Sequence, residues 1–198
     1  MNASAPTQPA LFDLRGRVVL LTGATGGLGL AMAQALAAHG ATLLLSDRDA
    51  QATAQNAKRL AEGGCNAQAL PCDLSQPDAV RSLAAQAQAL HGGIDTLVCN
   101  AGMQGPAGPL SATTDADWQA VLDVNLRSAV TLTSGLLPGM AARGGGSVVL
   151  MASIAALRGN QAIGLYGISK AALAQLARNL AVEWGPKNVR LVAIAPGS

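Results

Sequence analysis

The chain has 198 residues, 50% of them apolar, and its 13 Lys and Arg against 11 Asp and Glu leave a net charge of +2. That length suits one domain with a sizeable core, and the apolar residues fall in short runs, none near the roughly 18 consecutive residues of a membrane span. Scattered basic residues and 2% aromatics supply neither the basic stripe nor the stacking platforms of a nucleic-acid binder, so membranes and nucleic acids are both set aside as partners.

Met1 to Ala10 is rich in Ala, Pro, Ser and Thr and lacks the basic start and apolar core of a secretory signal. Residues 1–13 therefore read as a flexible tail. An apolar, strand-like run over 18–22 follows and opens into Thr22-Gly23-Ala24-Thr25-Gly26-Gly27-Leu28-Gly29, ahead of a helical pattern over 27–39. Missing side chains at Gly23, Gly27 and Gly29 let backbone N–H groups approach a pyrophosphate, and a helix N-terminus favours its charge. Thr25 and Leu28 join the candidate cofactor contacts as members of the same turn. The spacing is GxxxGxG rather than GxGxxG, and such a turn also serves as a tight structural connection.

The second strand-like run, 42–46, ends on Asp47, where a carboxylate can hydrogen-bond an adenosine ribose and repel a 2'-phosphate. NAD is favoured over NADP. Arg48, next door, tempers this, since it could turn toward a phosphate, and NADP stays open. After a helix over 50–62 and a strand over 67–70, Asp73 and Leu74 stand where they could contact the adenine; Asp73 could equally cap the helix expected over 76–90. Cys65, Cys72 and Cys99 are odd in number and lack close ligand spacing, which fits a reduced, cytoplasmic setting and no metal.

The fourth strand, 96–99, leads into Asn100-Ala101-Gly102. One long helix is expected over 115–140, a strand over 147–151 ending near Ser153, a helix over 165–184, and a last strand over 189–194 before Pro196-Gly197. Tyr166 and Lys170, four apart, share a face of that helix. The lysine's charge beside the phenol favours its ionised form and would make tyrosine a usable acid or base. Strands alternating with helices predict an α/β, doubly wound parallel sheet, Rossmann-like, of about six strands in order 3-2-1-4-5-6. Its ligand lies beyond the carboxyl ends of the strands, where strand order reverses.

Taken in order, the glycine-rich turn, Asn100-Ala101-Gly102, Asn125 in Asp123-Val124-Asn125-Leu126, Ser153, the Tyr166 and Lys170 pair, and Pro196-Gly197 resemble the short-chain dehydrogenase/reductase family in its single-domain branch. The resemblance covers nearly everything from Leu14 to Ser198. It implies hydride transfer between a nicotinamide cofactor and a secondary alcohol or ketone, with Tyr166 as acid/base, Ser153 on the reacting oxygen, and Lys170 acting on the tyrosine and the nicotinamide ribose. Asn125 resembles the asparagine that anchors a relay water; on the residues alone it reads as a buried structural amide. Asn100, Ala101 and Gly102 resemble the stretch that lies against the cofactor ribose. Cys99 stands where the family usually has asparagine, a change a small buried thiol can fill. Val192 also replaces an asparagine, at the cost of a polar anchor near the last strand.

The family continues past Pro196-Gly197 with nicotinamide contacts, a helical substrate lid and a seventh strand. The expectation for 14–198 is an NAD(P)-binding domain truncated before those parts, with 189–194 an apolar edge. It is then either a truncated product with impaired turnover or a short form whose edge another chain covers. The loops 103–109 and 155–164 are small and apolar and select no substrate. Two alternatives to the dehydrogenase remain: a catalytically weak nucleotide- or partner-binding protein, and an epimerase or dehydratase using the same cofactor. The long helices resemble those that pair subunits in the family, and Ala171, Ala172, Ala174 and Ala177 would admit a close partner in a dimer or tetramer; they would equally pack on the sheet.

Overall fold

Val18–Thr22 and Thr42–Ser46 bury consecutive side chains rather than alternate ones, the pattern of strands covered on both faces. In the computed structural model, which describes residues 12–197, six strands form one parallel sheet. They are β1 (Val18–Thr22), β2 (Thr42–Ser46), β3 (Ala67–Ala69), β4 (Thr96–Cys99), β5 (Gly146–Met151) and β6 (Val189–Ile194), in the order β3-β2-β1-β4-β5-β6. The expected tail lies outside the described residues apart from Phe12 and Asp13. The strand order is the one the alternation predicts, and it reverses between β1 and β4.

The helices are α1 (Gly27–Ala38), α2 (Ala50–Glu62), α3 (Pro77–Ala89), α4 (Asp115–Leu122), α5 (Ser128–Ala142) and α6 (Gly164–Trp184). Val19, Leu21, Leu43, Leu45 and Val98 face one side of the sheet and pack with Ala33 of α1 and Ala57 of α2. Their neighbours Leu20, Leu44, Leu97 and Val148 face the other side, against Leu83 of α3, Leu136 of α5 and Leu173 of α6. Two cores thus share one sheet, and the carboxyl ends of the strands are left to carry the site.

The helix expected over 115–140 is not continuous. Thr114 starts it with a capping box, its hydroxyl accepting the Asp117 N–H while the Asp117 carboxylate accepts the Thr114 N–H. At Asp123–Arg127 the chain widens into a π turn, in which the Ser128 N–H reaches back to the Asp123 carbonyl, and α5 resumes beyond it. Ser128 Oγ donates to the Val124 carbonyl at 2.6 Å, and Arg127 pairs with Asp123 at 3.0 Å, closing the widened turn. The side chains buried at this turn, Asn125 and Ser128, are polar, a break in the apolar stripe that the reading of one long helix passed over.

β6 forms one edge of the sheet, paired residue for residue with β5 from Gly146 and Val189 to Met151 and Ile194. Val192 and Ile194 are 51% and 48% exposed there.

Leu97 lies in the middle of β4 with no exposed surface. Leu97→Ala should lower the unfolding free energy by about 2–5 kcal/mol, because the surrounding side chains cannot collapse into the space. Urea denaturation checks this, with a midpoint shift at unchanged slope expected.

Candidate active site

The turn after β1 is built by close approaches that only glycine permits. Gly23 has φ +67°, and a Cβ there would lie 2.7 Å from the Ala101 Cα. A Cβ on Gly29 would collide with the Gly23 carbonyl. At Gly27, by contrast, a Cβ would meet nothing within 4 Å. The first two glycines compact the turn and the third faces open space, which suits a cradle better than a plain connection. Asn100 Nδ2 donates to the carbonyls of Thr22 and Gly23 at 3.1 and 3.0 Å, while Thr22 Oγ1 accepts the N–H groups of Asn100 and Ala101 at 3.1 and 3.2 Å. The ends of β1 and β4 are thereby stitched together at the reversal of strand order.

A trough of ≈ 700 Å³ runs along this turn, lined by Gly23, Thr25, Gly27, Leu28, Gly29, Asp47, Arg48, Asp73, Leu74, Asn100, Ala101 and Gly102 among others. Asp47 is held in its wall: Oδ2 accepts the Thr25 N–H at 3.1 Å and hydroxyl at 2.7 Å, and Oδ1 accepts the Arg48 N–H at 2.7 Å. Asp73 Oδ1 accepts the Ser75 N–H at 2.9 Å and hydroxyl at 2.8 Å. These bonds, with a smaller contribution from the Arg48 charge, hold the Asp73 carboxyl below the usual carboxylate range. Asp73 therefore braces the turn before α3 rather than capping the helix itself, whose N-cap is Gln76.

A second cleft of ≈ 490 Å³ shares Leu28, Asn100 and Gly102 with the trough and continues past Ser153, Tyr166, Lys170, Pro196 and Gly197. Leu28, 60% exposed at the junction, offers an apolar surface to whatever spans both. Ser153 ends the β5 segment, and its Oγ accepts the Ala155 N–H at 3.1 Å, which leaves its proton free to donate. Gly167, on α6, lets the Ser153 loop press close: a Cβ there would lie 2.8 Å from the Ala155 carbonyl oxygen. Serine and tyrosine reach one cleft for that reason.

Lys170 is 2% exposed, and its Nζ donates to the Met151 carbonyl at 2.7 Å while lying 5.6 Å from the centre of the Tyr166 ring. Burial draws its pKa down from 10.5 to about 8. Cys99 is buried nearby, and burial pushes its thiol up to about 12, against the opposing pull of the Lys170 charge. It is a small apolar filler, as the replacement of asparagine implied.

Asn125, in the π turn, is 2% exposed and lies behind the cleft. Its Oδ1 accepts the Met103 N–H at 2.8 Å, and its Nδ2 donates to the Met103 carbonyl and Ser169 Oγ, both at 2.9 Å. Both amide hydrogens are used on protein partners, which matches the structural-amide reading of the side chain. Ser169 Oγ in turn donates to the Tyr166 carbonyl at 2.7 Å. Neither Ser169 nor Thr22 was singled out from the sequence, although each is a small hydroxyl residue in an otherwise apolar strand or helix face. Arg158, which also lines the cleft, was passed over in a segment read as small and apolar.

Residues 17–198 match the short chain dehydrogenase family. The chain belongs to that family, and its class is the NAD(P)-dependent oxidoreductases that act on CH–OH groups. Dehydrogenase/reductase SDR family member 4 of Oryctolagus cuniculus is 38% identical over 184 residues, covering 93% of this chain and 71% of that protein. The Homo sapiens protein of the same name is 37% identical, and 66% of its length is covered. L-sorbose reductase from Gluconobacter frateurii, solved with NADPH and L-sorbose, has a TM-score of 0.90 at 34% identity, over 94% of this chain and 71% of that one. NAD+-bound xylitol dehydrogenase has a TM-score of 0.88 at 33% identity, over 93% and 71%. Among the described residues no helix is long and apolar enough to cross a membrane.

The Lys170 shift makes stability depend on pH with a definite sign. Below about pH 8 the amine is protonated in both folded and unfolded chains, and the folded state carries the whole burial penalty. From about 8 to 10.5 the unfolded chain keeps a proton that the folded one has released, so this penalty fades as pH rises. The stability of Lys170→Met relative to the unsubstituted chain should therefore be highest below pH 8 and decline toward 10.5. Thermal melts of both proteins across that range check it. Cys72, pushed up to about 11 by burial, acts in the opposite direction but is common to both proteins, whereas Cys99 loses the opposing pull of the Lys170 charge in the variant, so the comparison is read between pH 8 and 9, below the ordinary thiol range.

Proposed function

We propose that this chain interconverts a secondary alcohol and a ketone with a nicotinamide cofactor, NAD favoured, using Tyr166 as acid/base. The observation that carries the reading is that Ser153, Tyr166 and Lys170 line one cleft which opens directly onto the glycine-lined trough. A nicotinamide held there would supply or take up the hydride. The chain's own residues do the rest. The N–H groups of the turn and the N-terminus of α1 hold the pyrophosphate, Asp47 the adenosine ribose, and Asp73 and Leu74 the adenine. Asn100, Ala101, Gly102 and Lys170 line the second ribose, with Pro196 and Gly197 toward the nicotinamide. Ser153 donates its free proton to the substrate oxygen, and Tyr166 gives or takes the proton that moves there. Asn125 ties the π turn to α6, and a relay water would be anchored at that turn.

The fixed Asp47 carboxylate supports NAD, because a 2'-phosphate would meet a negative charge that Thr25 does not let swing away. A second reading, a nucleotide- or partner-binding protein with weak turnover, is supported by the exposed apolar side chains of Val192 and Ile194 on β6, an edge strand among the described residues. A dimer or tetramer is proposed through the faces of α5 and α6; Ala171 is exposed, whereas Ala177 is buried in the core and does not take part. The three free cysteines suit a reducing, cytoplasmic compartment.

Tyr166→Phe should reduce kcat by about 10²–10⁴-fold and leave NADH binding unchanged in calorimetry; unchanged turnover would favour the binding reading. In the same titrations NADH should bind more tightly than NADPH. Thr25→Val, which removes the hydroxyl that holds Asp47, should narrow that difference by weakening NADH. Equal affinities in the unsubstituted chain would remove Asp47 as the selector.

A further inference from the structure

The catalytic cleft carries a charge that proton and hydride transfer do not require. Its charged lining residues are Lys170 and Arg158, and none of its lining is acidic. Lys170 is buried and engaged with the Met151 carbonyl. Arg158 is exposed, and it takes part in none of the ion pairs among the described residues. It stands just beyond the short turn Ile154–Ala156 that Ser153 caps.

Two residues on, Asn160 Oδ1 accepts the N–H groups of Ala162 and Ile163 at 2.8 and 3.1 Å. Those two bonds identify the oxygen, so the other end of the carboxamide is the NH2, which can only donate. Gly159 lies between the two residues, and a Cβ there would meet nothing within 4 Å. The rim of the cleft therefore presents a guanidinium and an amide donor beside open space. Ile154, Ala155 and Ile163 supply apolar lining in the same cleft as this rim and the Ser153 and Tyr166 pair.

We propose that Arg158, with Asn160, is a carboxylate-recognition subsite, and that the substrates are hydroxy and keto acids whose carboxylate lies a short carbon chain from the reacting carbon. This rests on the dehydrogenase reading above. A guanidinium offers two parallel N–H donors that match the two oxygens of a carboxylate. One cation with neutral donors balances a monoanion; a phosphate monoester, at about −1.5 to −2, would leave a charge unmatched. The apolar lining then accepts the carbon skeleton between the two polar ends. Arg158 is thus a specificity residue, acting on where the substrate sits rather than on the proton.

The test uses matched pairs of 2- to 4-hydroxy acids and their methyl esters, which differ only in the charge. Binding to the chain is read by calorimetry with and without NADH, so it does not depend on turnover. Acids should bind more tightly than esters by about 10- to 100-fold, the size of charge-assisted hydrogen bonds. Arg158→Ala should erase that ratio by weakening the acids alone, with NADH affinity unchanged, and Arg158→Lys should keep part of it. The proposal is overturned if no acid binds at millimolar concentration, or if acid and ester lose affinity equally. It is also overturned if the variant loses NADH or inorganic phosphate binding instead, which would assign Arg158 to the cofactor or to phosphates. Since the readout is binding, a failure of Tyr166→Phe to affect turnover would sink the enzyme reading without deciding this one.

Discussion

The seam between the ends of β1 and β4 is the constraint on which the site depends. Parallel strands with helices on opposite faces leave a crevice where their order reverses, and here its floor is fixed by Asn100 and Thr22 across the two strand ends. The amide of Asn100 satisfies two carbonyls that the sharp exit of the chain would otherwise strand in a nearly buried position. Because a Cβ on Gly23 would strike the Ala101 backbone, the turn can sit against the second strand end only with glycine there. Trough and catalytic cleft then share Asn100 and Gly102 as a common wall.

A second network carries that position to α6, the helix of Tyr166 and Lys170. Met103 follows the seam directly in sequence and exchanges two hydrogen bonds with the Asn125 amide, which bonds Ser169, which bonds the Tyr166 carbonyl. A π turn inside a helix costs regular hydrogen bonding and recurs at functional positions. Here it holds Asn125 where one side chain can answer both backbone groups of Met103. A buried, fully satisfied chain of this kind has one geometry rather than several, so α6 is set in register with the trough.

The sheet order and the two-sided burial of its strands were legible because continuous apolar runs separated by helical patterns admit few topologies. The glycine-rich turn and the Tyr166 and Lys170 pair were legible for the same reason, since each is a local pattern of fixed spacing. The π turn was not, because its mark is only a pair of buried polar residues, Asn125 and Ser128, between Val121 and Ala129, and such a pair does not by itself state a widened turn. Ser169 and Gly167 were hidden as well. Their roles depend on which loop lies across α6, and nothing within the helix sequence states that. Arg158 was overlooked for a different reason: one charge among small residues reads as solvent-facing until the fold shows that the segment lines a cleft.

Charge along the combined cavity is uneven. Three carboxylates, Asp47, Asp49 and Asp73, line the trough with Arg48 among them, whereas the charged groups lining the cleft are Lys170 and Arg158. A molecule with neutral hydroxyl-rich and anionic parts has one favourable direction in such a field. Its hydroxyls would be accepted by the trough carboxylates, and its negative charge by the backbone N–H groups of the turn. Reversed, it would place anionic groups against Asp47, whose orientation Thr25 fixes, and the repulsion would not be relieved by a rotamer change. Among the described residues Lys170 has no carboxylate partner, and its acceptor is the Met151 carbonyl. Burial depresses its pKa, and the amine is held beside the Tyr166 ring, 5.6 Å from its centre.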